Sequence, residues 1–160
     1  MNLKTTWPKP NKESRKWWII DADGVILGRL ATKIVELLTG KYKPDFEKSV
    51  DMGDCVVVIN ADKFKVTGGK KDKKIYYHHT PFPGGIRSIT LGEMLEKTPT
   101  RAVEHAVELM LPKNRMRTLQ MARLHLVVGE AHKYGPQKPE VIDMLAKEQA
   151  KVEDHAKRDN

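Results

Sequence analysis

The sequence predicts an α/β fold organised around a parallel sheet, on three observations. Residues 17–21 (WWIID) combine aromatic and β-branched side chains as a strand does, and residues 55–59 (CVVVI) form an unbroken apolar run. Such a run is how a strand covered on both faces reads, the usual condition inside a parallel sheet. Between them lies an amphipathic helical pattern, so residues 17–59 read as one strand–helix–strand unit.

Taken in order, the first strand ends at the turn-forming DADG of 21–24. After Gly28, residues Leu30, Ala31, Ile34, Leu37 and Leu38 line one face of a 3.6-residue period, and Gly40 is the natural stop. Beyond the second strand the chain becomes basic and glycine-containing over 63–74, which predicts a loop around Gly68 and Gly69. Residues 74–79 (KIYYHH) read as a further extended segment, and Pro81, Pro83, Gly84 and Gly85 punctuate a loop. Thr90, with Glu93 three positions on, predicts a capped short helix over 91–97. Pro99 suits the first turn of another helix, which turns Val103, Ala106, Val107, Met110 and Leu111 inward and stops at Pro112. A basic helix over 115–123 and a last core strand in 124–128 (LHLVV) follow. From Glu140 the sequence predicts a C-terminal helical segment, solvent-facing because Asp143 and Lys147, Glu153 and Lys157, and Asp154 and Arg158 are spaced i,i+4. The expected organisation is a basic arm at 1–15, a single α/β domain at 16–143 and a charged helical extension at 144–160.

The chain has 160 residues and a net charge of +8, with a single cysteine. One compact domain with tails fits that length. The longest apolar run, 55–59, is far short of the roughly 18 residues a membrane span needs, and no secretory signal pattern opens the chain. A lone Cys55 forms no internal disulfide, which fits a reducing compartment and an expected cytoplasmic location. The charge is uneven. Residues 63–88 carry seven basic side chains against one acidic, and residues 1–20 and 112–136 each carry five against one. The intervening stretches are acidic or near neutral and hold most of the apolar periodicity, so a scaffold presents basic loops to an extended polyanion, most often a nucleic acid.

Enzyme chemistry finds little support. His78 and His79 are adjacent, so a strand points them to opposite faces, and no other histidine has zinc-ligand spacing. No metal and no cofactor is expected. The Gly68-Gly69-Lys70-Lys71 stretch lacks the spacing of a phosphate loop, and the turn after the first strand lacks GxGxxG. Cys55 reads as a buried strand residue. The basic groups fare better: six lysines surround the Gly-Gly turn in 63–74, and Lys113, Arg115, Arg117 and Arg123 add further positive charge. With aromatics only 6% of the chain, recognition of folded RNA by shape and phosphate fits better than a base-reading aromatic sheet.

Seven stretches, in order, carry a resemblance: LGRLAT at 27–32, DxGD at 51–54, NADK at 60–63, VTG at 66–68, KxYYHH at 74–79, PGG at 83–85 and MLPKN at 110–114. Together they cover residues 15–143, and the chain resembles the bacterial-type large-subunit ribosomal protein thirteen family. That resemblance implies a three-layer α/β/α core with a four-stranded, mainly parallel sheet. It implies a structural, non-catalytic role in the large subunit, with 23S-type rRNA and neighbouring large-subunit proteins as partners, early participation in assembly, and neither a membrane nor a small-molecule substrate. By motif position it assigns RNA contact to Lys63, Lys70, Lys71, Lys74, Tyr76, His78, His79, Arg87, Lys113 and Arg115; Lys73, Arg117 and Arg123 join them on charge alone. The alternative is a non-ribosomal regulator that binds an mRNA structure through the same basic surface. Residues 144–160 extend past the family's usual end.

Overall fold

A computed structural model describes residues 7, 8 and 15–144 of the chain. The elements run β1 (Trp17–Asp21), α1 (Leu27–Thr39), β2 (Cys55–Ile59), α2 (Lys70–Lys73), β3 (Ile75–His79), β4 (Ile86–Thr90), α3 (Leu91–Lys97), α4 (Pro99–Met110), α5 (Met116–Met121), β5 (Leu124–Leu126), a 3-10 turn (Gly135–Gln137) and β6 (Glu140–Ile142). Strands β5, β2, β1 and β6 form one sheet in that order, every pair parallel, while β3 and β4 make a separate antiparallel hairpin.

Strand alternation divides the sheet into two faces. In the observed register, Trp18, Ile20, Val56, Val58, Leu124, Leu126 and Ile142 share one face. That face packs with Leu30, Ile34, Leu37 and Leu38 of α1, Leu91 and Met94 of α3, and Val103 and Val107 of α4 in a single core. Each large buried side chain there is worth roughly 1.5–3 kcal/mol over exposure. The opposite face carries Trp17, Ile19, Cys55, Val57 and His125. Tyr134 reaches it from the segment after β5: its ring stacks on His125 at 4.5 Å between ring centroids, and His125 lies parallel to Trp17 at 5.6 Å. Burial lowers the His125 pKa. The architecture is the three-layer α/β/α class with a four-stranded parallel sheet.

Met110, expected inward on α4, is exposed, and three elements of the structure depart from the sequence reading. Residues 140–142 are a strand instead of the start of a helix, because their backbone pairs with the open side of β1; tertiary pairing overrides local spacing here. The second strand of the hairpin, β4, is not expected from sequence, since its one strongly apolar pair, Ile86 and Ile89, is too sparse to mark a buried face. Within 63–74 the loop contains one helical turn, α2. The expected arm at 1–15 and extension at 144–160 lie outside the described residues, save Trp7, Pro8, Arg15 and Met144.

Candidate nucleic-acid interface

The hairpin stands in a long acid-free part of the chain: residues 73–92 include no aspartate or glutamate. Its turn closes tightly, with the Thr80 N–H donating to the Gly85 carbonyl at 2.9 Å and the Gly85 N–H to the Phe82 carbonyl at 3.0 Å. A Cβ on Gly85 would lie 1.8 Å from Thr80 Oγ1, so only glycine closes this turn. At the base, the Leu91 N–H donates to the Lys74 carbonyl, and Thr90 Oγ1 accepts from the Glu93 N–H at 3.3 Å as the α3 cap.

The register sorts the candidate residues by face. Tyr76 pairs with Ile89 and His78 with Arg87 on one face; Tyr77 pairs with Ser88 and His79 with Ile86 on the other. Tyr76 leans on the core, its ring meeting His105 of α4 edge-on at 5.4 Å, and burial pushes its phenol pKa up. The Lys74 ammonium sits 5.5 Å from the Tyr76 ring centre, a cation–π approach. His78, His79 and Arg87 are exposed towards the turn, and the two imidazoles point to opposite faces as strand alternation requires. Among the described residues no group of three or more His, Cys, Asp or Glu side chains could hold a metal, and no helix is long and apolar enough to cross a membrane.

Lys70, Lys71, Lys73 and Lys74 are all exposed on and just after α2, and the helical advance of ~100° per residue spreads them around the turn. Gly68 enters this turn with φ +64°, a conformation open to glycine. Lys63 is exposed in the loop after β2, with its N–H donating to the Asn60 carbonyl at 2.9 Å.

A second basic group follows α4. Asn114 Oδ1 accepts from the backbone N–H groups of Met116 and Arg117 at 3.1 and 3.2 Å, which starts α5 and leaves Lys113 and Arg115 exposed. Arg117 is turned back instead: its Nε and Nη2 donate to the carbonyls of Pro112 and Leu111, both at 3.3 Å, and satisfy the end of α4. The hairpin meets α4 at His105 and the 113–117 turn follows its last residue, so about 8 Å of helix spaces the two basic groups.

Arg123 departs from the sequence expectation. It is only 7% exposed. Its guanidinium donates to both Asp51 oxygens, at 2.6 and 2.7 Å, and to the Leu38 carbonyl at 3.1 Å, so it is engaged inside the fold and not offered to a ligand. Arg15 reaches the same carboxylate at 2.9 Å. Burial alone would raise the Asp51 pKa, but Arg123 and then Arg15 outweigh it and hold the carboxyl below its ordinary value. The rest of the DxGD stretch serves the same tie. A Cβ on Gly53 would lie 1.7 Å from the Leu38 carbonyl oxygen, so the backbone passes the end of α1 only as glycine. Fully buried Asp54 accepts from the Lys16 N–H at 3.2 Å, Trp18 Nε1 at 3.3 Å, Lys43 Nζ at 2.6 Å and the Tyr42 hydroxyl. Burial, and then this carboxylate, raise the Tyr42 pKa.

The surface the structure leaves available therefore comprises Lys63, the 70–74 lysines, the outer hairpin and residues 113–115. The sequence reading singles out Tyr76, whereas Tyr77 is the exposed ring; only the strand's phase against the core distinguishes two adjacent tyrosines, and that phase depends on α4.

Residues 15–133 match the family model described as ribosomal protein L13. A protein named large ribosomal subunit protein uL13 from Thermotoga petrophila is 48% identical over 141 residues, spanning 88% of this chain and 95% of that protein. Its namesake from Pediococcus pentosaceus is 49% identical over 143 residues, 89% of this chain and 97% of its own length. The one from Caldicellulosiruptor bescii is 49% identical over 142 residues, covering 89% of this chain and all of its own. With matches that include the hairpin, the α4–α5 turn and the Asp51 tie, the chain belongs to the ribosomal protein L13 family.

Proposed function

We propose that this chain is a non-catalytic structural constituent of the large ribosomal subunit, which binds large-subunit rRNA and helps it fold early in assembly. The observation that carries the reading is the hairpin and α2 together: an acid-free stretch and four exposed lysines, mounted on a core that keeps its own carboxylates paired. Lys63, Lys70, Lys71, Lys73, Lys74, Arg87, Lys113 and Arg115 would contact phosphate, with His78 and His79 beside them. Arg117 is available only in part, and Arg123 holds the domain together. Residues 16–143 would act as one RNA-binding domain, with neighbouring large-subunit proteins as further partners.

The test is salt-dependent co-sedimentation. Phosphate binding releases counterions, so the protein should stay with large subunits at low salt and leave at high salt. Changing Lys70, Lys71, Lys73 and Lys74 together to Ala should lower the slope of log affinity against log salt by about 0.7–0.9 for each phosphate no longer neutralised, with an unchanged melting temperature. Normal large-subunit assembly at full occupancy of that variant would refute the assignment. Crosslinking that recovers a discrete mRNA hairpin instead of rRNA would favour the regulator.

A further inference from the structure

The outer face of the hairpin has a character that phosphate binding does not explain. Tyr77 is 71% exposed, Ile86 67% and Phe82, in the turn, 74%, and Ile75 is exposed beside them. Scattered apolar side chains are ordinary on a surface, but four within twelve residues form a patch. Tyr77 lies opposite Ser88, too small to cover a ring, while its neighbour Tyr76 is the tyrosine that the core and Lys74 occupy. The patch contains no acid, and His79 lies on its face opposite Ile86. Arg87 belongs to the Tyr76 face and Lys74 lies over the Tyr76 ring, so both present their charge from the other side of the same two-stranded ribbon.

We infer that this face is a stacking platform for unpaired RNA bases, with Tyr77 as its centre, while the cations of α2 and of the hairpin's other face take phosphates of the same RNA. The inference rests on the rRNA-binding reading and specifies which part of the RNA this element takes. A duplex buries the faces of its bases, whereas a loop or bulge splays them out for stacking on an exposed ring. An exposed aromatic in an acid-free setting, on a hairpin whose other face carries the cations, matches that ligand in both apolar surface and charge. An acidic protein partner would satisfy the cations equally, so the test separates the two.

The experiment uses the full chain and fluorescence anisotropy at fixed ionic strength. One probe is an unpaired RNA of about a dozen nucleotides; the other is the same strand in a duplex. Tyr77→Ala should weaken the unpaired probe about 5- to 150-fold, the range of one base-stacking interaction, and leave the duplex within about twofold. Tyr77→Phe should keep wild-type affinity for both, because stacking needs the ring and not the hydroxyl. Circular dichroism should give all three proteins one melting temperature, as Tyr77 is outside the core. Equal effects of Tyr77→Ala on both probes, or no effect on either, would overturn the stacking platform while leaving RNA binding intact. Failure of the wild type to bind either probe or large-subunit rRNA would remove the rRNA reading itself. If Tyr77→Ala keeps RNA affinity but releases a neighbouring protein from reconstituted subunits, the face is a protein interface and the inference fails.

Discussion

Replacing Arg123 by Met should destabilise the domain without disturbing its RNA contacts. The guanidinium gives two charge-assisted hydrogen bonds to Asp51 and one to the Leu38 carbonyl, and methionine supplies none. Breaking a buried pair by removing one partner costs about 3–5 kcal/mol. Two features place this case at the lower end: Asp51 is 17% exposed and keeps its bond to Arg15, and the buried Arg123 Nε, with no acceptor among the described residues, is removed without penalty. A cost of about 3 kcal/mol in a domain of this size lowers the melting temperature by about 10 °C. The sign with pH is also fixed. The Asp51 pKa lies below its unfolded value, so its contribution is present above the unfolded pKa and disappears as pH falls through the folded one. Without Arg123 the depression shrinks, and acid unfolding should begin at higher pH. Thermal melts monitored by circular dichroism across pH, with RNA affinity measured where both proteins are folded, provide the assay. A melting temperature within about 2 °C of wild type, together with a loss of RNA affinity, would refute the structural assignment of Arg123.

Gly53→Ala should cost at least about 3 kcal/mol, because the new Cβ meets a backbone carbonyl that cannot turn aside; a denaturant melt checks this, and a midpoint near wild type would contradict it. Thr90→Ala should remove the α3 cap for about 1 kcal/mol, seen as a melting point about 3 °C lower with RNA affinity unchanged. Burial holds the His125 pKa below its unfolded value of about 6.5, so stability should be complete above that pH and decline as pH falls through the interval between the two values. Melting temperatures of His125→Phe should be flat over the same interval, and a wild-type profile equally flat would argue against the buried neutral ring.

Much of the fold is legible in the sequence because its signals are local. The WWIID and CVVVI runs, the α1 stripe, the Thr90 cap and Pro99 each announce an element within a few residues. The strand at 140–142 is hidden because only the open side of β1, far away in sequence, makes it one. The candidate site divides the same way. Exposed lysines around a Gly-Gly turn are recognisable from composition, but charge says nothing about burial, so composition groups Arg123 with the surface cations. Its partner is hinted at by the DxGD stretch, where two aspartates flank a glycine in an otherwise apolar approach to β2, yet the pairing spans 72 residues. The choice between Tyr76 and Tyr77 likewise depends on which face of the hairpin meets α4.

The parallel sheet also sets a timetable for synthesis. Its order places β6, the last strand among the described residues, against β1, the first, and the Lys16 side chain meets Glu140 across 124 residues. At about 5–20 residues per second, β1 waits on the order of 6–25 s for that neighbour. Throughout that interval one side of β1 is an unpaired edge, the kind of template on which foreign strands add. The helix that follows β1 immediately, α1, covers a face of the sheet and not that edge, so the open side of β1 stays available until β6 reaches it.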